Sequence, residues 1–336
     1  MPKYKVGIIG CGGIGRDHAR AYLEIPGIEV IAGAEVNPDN AKRFSEQFGV
    51  KRMYTDYGEM LEKEKLDLVS VCTWPRTHCD ATVRAAQSGV KGIMCEKPMA
   101  VTLEEADRMI AACDRGGVVL AVGHQHRFDP QSVKARELIE QGAIGEPVLF
   151  WGHCSLDLMN NGSHVIDMLN YFNGDQPVEW VIGQIDRRHK KLGQANHPDM
   201  PVEDMGVGQI KYKNGLEATV ELGEFALQEW QFHLFGSEGI IDVNLPGGPP
   251  VRLLSSKKKG WMVPQLKPVD VRVAEMRELV AAIEEGRAHL SSDRRGRAAL
   301  EVAIAIFESS RRRALINFPV KVRDFPLETM IKEGMV

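Results

Sequence analysis

The sequence predicts a doubly wound parallel α/β sheet followed by an α+β domain with a large, mostly antiparallel sheet. Three observations predict it. A glycine fingerprint joins the first strand to the first helix, strands and helices alternate from residue 3 to residue 128, and beyond that point the pattern changes to short strands in succession.

The segment Tyr4 to Ile9 reads as a buried strand and runs straight into Gly10-Cys11-Gly12-Gly13-Ile14-Gly15, after which Arg16 to Leu23 is helical. The three spaced glycines have separable roles. Gly10 permits a tight turn, Gly12 lets backbone amides approach a pyrophosphate, and Gly15 lets the helix pack closely on the strand. The N-terminus of that helix favours negative phosphates, and Gly13 and Ile14 in the loop before it are candidate cofactor contacts with the three glycines. A second strand, Ile28 to Val36, carries Glu35 about twenty residues beyond Gly15, where an acid hydrogen-bonds a ribose 2′-hydroxyl and repels a 2′-phosphate. NAD is therefore expected over NADP.

Helices at Ala41 to Phe48 and Asp56 to Glu64 follow. The continuous apolar run Leu66 to Thr73 is a buried parallel strand, ending on the loop Thr73-Trp74-Pro75-Arg76-Thr77-His78. Loops at the carboxyl ends of such strands bind ligands in open α/β sheets, so Thr73, Trp74, Pro75 and His78 are candidate cofactor contacts. Asp80 to Ser88 reads as a helix closed by Gly89. The strand Gly92 to Cys95 delivers Glu96-Lys97-Pro98 to the same edge. Thr102 and Glu105 form a capping box for a helix over Leu103 to Asp114, and the strand Val118 to Val122 ends on Gly123-His124-Gln125-His126-Arg127-Phe128.

The domain boundary is expected near Gly123, giving a dinucleotide-binding domain over 1–123 and a second domain over 124–336. In the second, helices are expected at Pro130 to Gln141, Ser163 to Phe172, Val271 to Glu285 and Arg294 to Arg313. Strands are expected at 148–155, 178–186, 205–212, 217–223, 231–235 and 240–243, with Asn214-Gly215 turning a hairpin. The polar stretch from Arg188 to Pro201 reads as a loop over the site.

The composition bounds the function class. With 43% hydrophobic and 26% charged residues and a formal net charge of -4, the chain has the make-up of a soluble globular protein, without the basic field that holds nucleic acid or an anionic membrane. A start on Met1-Pro2-Lys3-Tyr4 has no apolar signal core, and no apolar run is long enough to span a bilayer, so a cytoplasmic location is expected. The six cysteines lack a C-x-x-C pair and read as buried thiols. His124, His126 and His153 match no zinc spacing, so no metal is expected.

Taken with these motifs, the chain resembles the Gfo/Idh/MocA oxidoreductase family over essentially its whole length. The resemblance rests on the glycine fingerprint, Glu96-Lys97-Pro98, Gly123 to Phe128, Gly142-Ala143-Ile144-Gly145, Gly162-Ser163-His164 with Asp167, Glu203-Asp204 and Asn317-Phe318-Pro319. It implies an NAD(P)-dependent enzyme acting on a secondary alcohol of a sugar, polyol or related small molecule. Glu96-Lys97-Pro98 would hold the nicotinamide ribose and bring Lys97 to the reacting carbon. Family members carry a D-x-G-x-H pattern whose aspartate and histidine work with this lysine. Here Asn160 stands in the place of the aspartate, His164 aligns with the histidine and Asp167 follows one helical turn on.

Alcohol oxidation needs a hydride acceptor and a group to take the hydroxyl proton. Because an amide such as Asn160 can hydrogen-bond a hydroxyl but not deprotonate it, the load falls on Lys97 and His164. His164 as base with Lys97 polarising the oxygen is the first order, and the reverse stays open. His124, His126, Arg127 and Asp167 are read as lining the substrate cleft, with a structural role for Arg127 and support of the loop by Asp167 as the alternatives. Two rival functions remain, an NAD-assisted glycoside hydrolase and a dinucleotide-sensing regulatory protein. An apolar outer face on the second sheet is expected to pair with another subunit, giving a homodimer or homotetramer.

Overall fold

Two compact units partition the chain in the computed structural model, which describes residues 3–189, 200–223 and 230–336. The first comprises Met1–Gln125 with Asp270–Arg297, the second His126–Val269 with Ala298–Val336. The chain thus returns to its first unit after residue 269, which corrects a single cut near 123.

In the first unit the strands β1 (Tyr4–Ile9), β2 (Ile28–Ala34), β3 (Arg52–Tyr54), β4 (Leu68–Val71), β5 (Gly92–Cys95) and β6 (Val119–Val122) form one sheet. All its pairings are parallel, in the order β3-β2-β1-β4-β5-β6. The order reverses between β1 and β4, and ligands of open α/β sheets bind outside the strand ends at such a switch point. Helices α1 (Gly13–Leu23), α2 (Pro38–Phe48), α3 (Tyr57–Lys63), α4 (Pro75–Gln87) and α5 (Leu103–Gly116) are the crossovers. Two terminators are legible locally. Thr102 and Glu105 form the expected capping box on α5, and Gly117 ends it at a φ of 63°.

Helix α4 begins at Pro75, so Pro75 to His78 are its first turn and not a loop. Proline at the first helical position has no N–H to lose there, which explains the early start. The segment that returns from the far end of the chain belongs to the core. The helix at Val271–Glu285 contributes Val273, Met276 and Leu279 to the same apolar cluster as Tyr4, Val6 and Ile8 of β1. A Cβ on Gly92 of β5 would lie 2.6 Å from Cδ1 of Ile283, a contact that keeps this helix tight on the sheet.

The second unit has α6 (Pro130–Glu140), β7 (Pro147–Cys154), α7 (Asn161–Phe172) and strands β8 (Val178–Asp186), β9 (Met205–Tyr212), β10 (Glu217–Gly223), β11 (Trp230–Gly236), β12 (Gly239–Val243), β13 (Val251–Ser255) and β14 (Trp261–Met262). After α8 (Val271–Glu285), it is completed by most of α9 (Asp293–Arg312), β15 (Ile316–Asn317) and α10 (Pro326–Lys332). Its nine-stranded sheet runs β14-β13-β12-β11-β7-β10-β9-β8-β15, antiparallel except for the β7–β10 pair. The register aligns one buried apolar row, Val181, Ile210, Ala218, Phe150, Leu234, Ile241 and Leu253, across seven strands. Helices α7 and α9 cover that face. A Cβ on Gly152 would meet Val165 of α7 at 2.6 Å, and one on Gly208 would meet Ile306 of α9 at 2.5 Å. Residues 190–199, most of the polar stretch read as a loop over the site, lie outside the described residues.

The six cysteines are unpaired thiols, five of them buried. Among the described residues no helix is long and apolar enough to cross a membrane.

Candidate functional site

The glycine loop of the first unit has backbone demands that only glycine meets at two positions. Gly10 sits at a φ of 86°, where a Cβ would also approach the Cys72 carbonyl oxygen to 2.7 Å. A Cβ on Gly15 would lie 2.0 Å from the Gly10 carbonyl oxygen, so helix and loop pack backbone to backbone. At Gly12 and Gly13, by contrast, a Cβ would meet nothing within 4 Å. That open space adjoins the N-terminus of α1, whose cap residue Gly12 offers no side-chain hydrogen bond. Amide N–H groups of a helix N-terminus, the helix dipole and room for a bulky anion fit a dinucleotide pyrophosphate. Ile14 is half-exposed on the first turn.

Glu35 follows β2 and ties the loop together. One carboxylate oxygen accepts the Cys11 N–H at 2.8 Å and the other the Asn37 N–H at 2.8 Å. Each oxygen retains a lone pair for a ribose hydroxyl. Thr73 and Trp74 lead into α4. Thr73 accepts from the Thr77 hydroxyl at 2.7 Å, and Trp74 is half-exposed at the helix N-cap.

Two expected cofactor contacts have other work. His78 is fully buried, its Nδ1 3.0 Å from the Pro98 carbonyl and its Nε2 3.0 Å from the Thr73 carbonyl. It joins the loops after β4 and β5 and presents no surface to a cofactor. Burial pushes its pKa down. Glu96 is likewise buried, at 6% exposed, and its carboxylate is held by protein partners. Its Oε1 lies 2.9 Å from His18 Nε2 and accepts from Arg272 Nη1 at 3.1 Å. Its Oε2 accepts the Lys97 N–H at 3.1 Å. Burial acts to raise the Glu96 pKa, but the Arg272 guanidinium and His18 hold the carboxyl well below its usual range.

The buried network extends further. His18 Nδ1 is 3.1 Å from the Ser70 hydroxyl, which is 3.2 Å from the Tyr22 hydroxyl. Arg272 also donates to Glu275 at 2.8 Å. Burial pushes the Glu275 carboxyl up to about 7 and pushes the His18 pKa down. Lys97 is half-buried at the carboxyl end of β5, and its bond to Pro98 is cis. His124, expected to line the substrate cleft, is 1% exposed.

In the second unit, His126 and His164 come together. Their ring centroids are 4.6 Å apart in an edge-on arrangement, and Trp230 lies on His126 at 3.8 Å. His126 Nδ1 is 2.7 Å from the Asp129 carboxylate, which orients the ring. His164 projects from the first turn of α7 and is 4% exposed. The turn before it is built by Asp157, whose carboxylate accepts the Asn160 N–H at 2.9 Å, while the Asn160 carbonyl accepts from the Ser163 hydroxyl at 2.7 Å. Trp230 also lines an open cavity of about 430 Å³ with Gln131, Asn244 and Pro250.

Arg127 and Asp167 do not line a cleft. The guanidinium takes both Asp167 oxygens at 2.8 Å each and continues to Asp175 at 2.7 Å, with the side chains of Arg127 and Asp167 each 1% exposed. A bidentate pair this deeply buried is a structural clamp between the turn after β6 and α7. Burial opposes the charge on Arg127, but Asp167 and Asp175 raise its pKa above the ordinary value.

Sequence reasoning passed over His18, Arg272, Glu275, Asp157 and Trp230. His18 carried one signal, a polar residue on the inner face of a helix that otherwise buries Ala19, Ala21 and Tyr22. Arg272 and Trp230 act through contacts distant in sequence, with Glu96 and His126, whereas Glu275 and Asp157 bond residues three positions away that carried no motif.

Comparison with known proteins agrees with this geometry. Residues 4–124 match the oxidoreductase family's NAD-binding Rossmann fold, and residues 157–322 match its C-terminal alpha/beta domain. The chain belongs to the Gfo/Idh/MocA oxidoreductase family. It is 25% identical over 337 residues to the scyllo-inositol 2-dehydrogenase (NAD(+)) of Bacillus subtilis, covering 94% of this chain and 96% of that one. It is 33% identical over 194 residues to the D-apiose dehydrogenase of Paraburkholderia graminis, which spans 52% of this chain and about half of that one, at 51%. The solved structure of levoglucosan dehydrogenase with NADH and levoglucosan has the same fold, at a TM-score of 0.83 and 24% identity over 94% of this chain and 99% of that one. As a Gfo/Idh/MocA member, the chain is an NAD-binding oxidoreductase.

Proposed function

We propose that this protein is an NAD-dependent dehydrogenase for a secondary alcohol of a sugar, polyol or sugar derivative, with Lys97 and His164 as its acid/base pair. The observation that carries the reading is the place of Lys97. It stands at the carboxyl end of β5, the sheet edge that also bears the open glycine loop, and its backbone is held by the anchored Glu96. The names of the relatives, inositol, apiose and levoglucosan dehydrogenases, support the substrate class.

The glycine loop and Glu35 would hold NAD, which would supply the hydride acceptor for the carbinol carbon. The hydroxyl proton goes to protein. His164 is the base and Lys97 polarises the oxygen. Asn160 holds a substrate hydroxyl without taking a proton. His126, oriented by Asp129, flanks His164 and steadies its ring, while Glu35 selects the unphosphorylated ribose. A second copy of the chain covers the outer sheet face, where Ile182, Val207 and Met205 are each about 40% or more exposed.

The test is titration with NADH and NADPH separately, then NAD reduction with D-apiose, myo-inositol, scyllo-inositol and levoglucosan. Stronger NADH binding and reduction with a panel member are expected. Protein that binds neither dinucleotide would sink the reading, and tight NAD that cycles without net reduction on glycosides would point to hydrolysis. In single-turnover hydride transfer, His164→Ala and Lys97→Ala should each slow the step by about 100-fold or more. A His164→Ala enzyme at near wild-type rate is not missing its base.

A further inference from the structure

We propose that the cavity beside Trp230 is a subsite for a second, neutral ring of the substrate. The alcohol that is oxidised then belongs to a disaccharide or other neutral glycoside, and not to a sugar phosphate or a nucleotide sugar. The inference rests on the reading of His164 as the base, which puts the reacting hydroxyl at that ring.

Trp230 joins the cavity to the histidine pair. At the start of β11 it packs on His126 with ring centroids 3.8 Å apart, and His126 in turn meets His164 edge-on at 4.6 Å. The same tryptophan lines the open cavity of about 430 Å³. All three rings and the cavity belong to the second unit. A substrate whose reacting carbon lies at His164 therefore has room for a substituent on the far side of two ring contacts.

The connection between β12 and β13 forms a second wall, and it is built to hold its shape. The Asn244 N–H donates to the Pro250 carbonyl at 2.9 Å and closes the neck of the loop, while the Gly248 N–H donates to the Leu245 carbonyl at 3.0 Å and turns it. Pro246, Pro249 and Pro250 restrict the backbone between these bonds, so little ordering is left to oppose binding. Asn244 stands at a φ of 56°, a left-handed conformation that glycine adopts without cost, and the asparagine there adds a side-chain amide to the cavity wall.

The chemistry of the lining selects the ligand class. Among the described residues that line the cavity none is charged. Gln131 sits in the first turn of α6, but that helix N-terminus already carries the Asp129 carboxylate, which is held by His126 at 2.7 Å. A phosphate or carboxylate entering the cavity would lose its water without gaining a cation. The amides of Gln131 and Asn244 each donate and accept, as hydroxyl groups do, while the indole of Trp230 with Leu245 and Pro250 offers apolar surface to the C–H face of a sugar ring.

The experiment is isothermal titration calorimetry of the full-length protein with and without NADH. D-glucose and myo-inositol are compared with the neutral two-ring compounds cellobiose, maltose, trehalose and galactinol, and with glucose 6-phosphate and UDP-glucose. At least one neutral two-ring compound should bind about tenfold or more tightly than its one-ring parent, and the phosphorylated compounds should show no such gain. Trp230→Ala should bring that ratio to about one, and Trp230→Phe should restore most of it. Asn244→Gly, which suits the left-handed backbone, should lower the ratio about fivefold, and it carries the test if Trp230→Ala does not fold. A wild-type ratio of about one across the panel, a larger gain for glucose 6-phosphate or UDP-glucose, or a ratio unmoved in folded Trp230→Ala overturns the proposal. NAD reduction by a one-ring compound together with a ratio of one keeps the dehydrogenase reading and removes the subsite. The expected ratios without NAD reduction by any compound keep the subsite and sink the dehydrogenase reading.

Discussion

Replacing Glu275 by glutamine tests the buried charge network through stability. The carboxyl is fully buried on α8 with one oxygen on Arg272 and the other without a hydrogen-bond partner, and its pKa is pushed from 4.5 up to about 7 by burial. For a carboxyl raised in the folded state, the folded protein binds more protons than the unfolded chain between those two values. Stability attributable to Glu275 is therefore fully present below about pH 4.5, declines as pH rises, and has been lost above about pH 7. A shift from 4.5 to about 7 corresponds to about 3 kcal/mol at about 1.4 kcal/mol per unit. Glutamine has nearly the same shape and does not ionise. The variant should match wild type near pH 5 and be the more stable of the two at pH 8, with a melting temperature several degrees higher. Scanning fluorimetry at half-unit pH steps measures the difference curve. A difference that is flat with pH, or one favouring wild type at pH 8, would refute the account and mean that the ionised carboxylate is well compensated by Arg272.

Three further outcomes follow from the geometry. Gly12→Ala should fold with an unchanged melting temperature yet bind NADH at least about tenfold more weakly, because its Cβ meets no protein atom and enters the space for the pyrophosphate; Gly15→Ala should lose stability as well, with its Cβ 2.0 Å from the Gly10 oxygen. Arg127→Met should destabilise the protein by about 3–5 kcal/mol by leaving Asp167 buried and unbalanced; a substrate KM that rises while the melting temperature holds would return Arg127 to the binding surface. Val207→Glu, on β9 and 42% exposed, should leave a folded monomer in light scattering if a second copy covers that face, and an unaltered mass would remove the face from the interface.

The elements that the sequence carries plainly are those whose cause is local. β1, β5, β8, β9, β10 and α8 begin and end where apolar patterning and flanking turn residues place them. Elements without such a cause were not visible. β15 is two residues long, and it exists because Ile316 and Asn317 pair with Val181 and Trp180 on a strand more than a hundred residues earlier. β13 lacks a distinct pattern of its own and is defined by pairing with β12. Pro75 was a third kind of case, since proline permits both a loop and a helix start, and the local sequence does not choose between them.

The candidate site divides along the same line. The glycine loop was legible because its requirements are short-range: a positive φ at Gly10 and a backbone contact at Gly15 are met within six residues. For Arg127 and Asp167 the sequence leaves a substrate-facing and a structural role open, and forty residues of chain return them to each other as a buried pair. Glu96 shows why such reversals occur. A carboxylate next to a lysine at a strand end looks available to a ligand until the partners that desolvate it are known, and those partners are His18, seventy-eight positions earlier, and Arg272, one hundred and seventy-six positions later. Burying a carboxylate costs several kcal/mol unless it is hydrogen-bonded and balanced. The position of Glu96 therefore requires a cation to arrive from elsewhere in the chain. This makes the return of Asp270–Arg297 to the first unit more than a covering for an apolar sheet face: the helix that supplies Val273, Met276 and Leu279 to the core also brings the guanidinium that the strand end cannot supply itself.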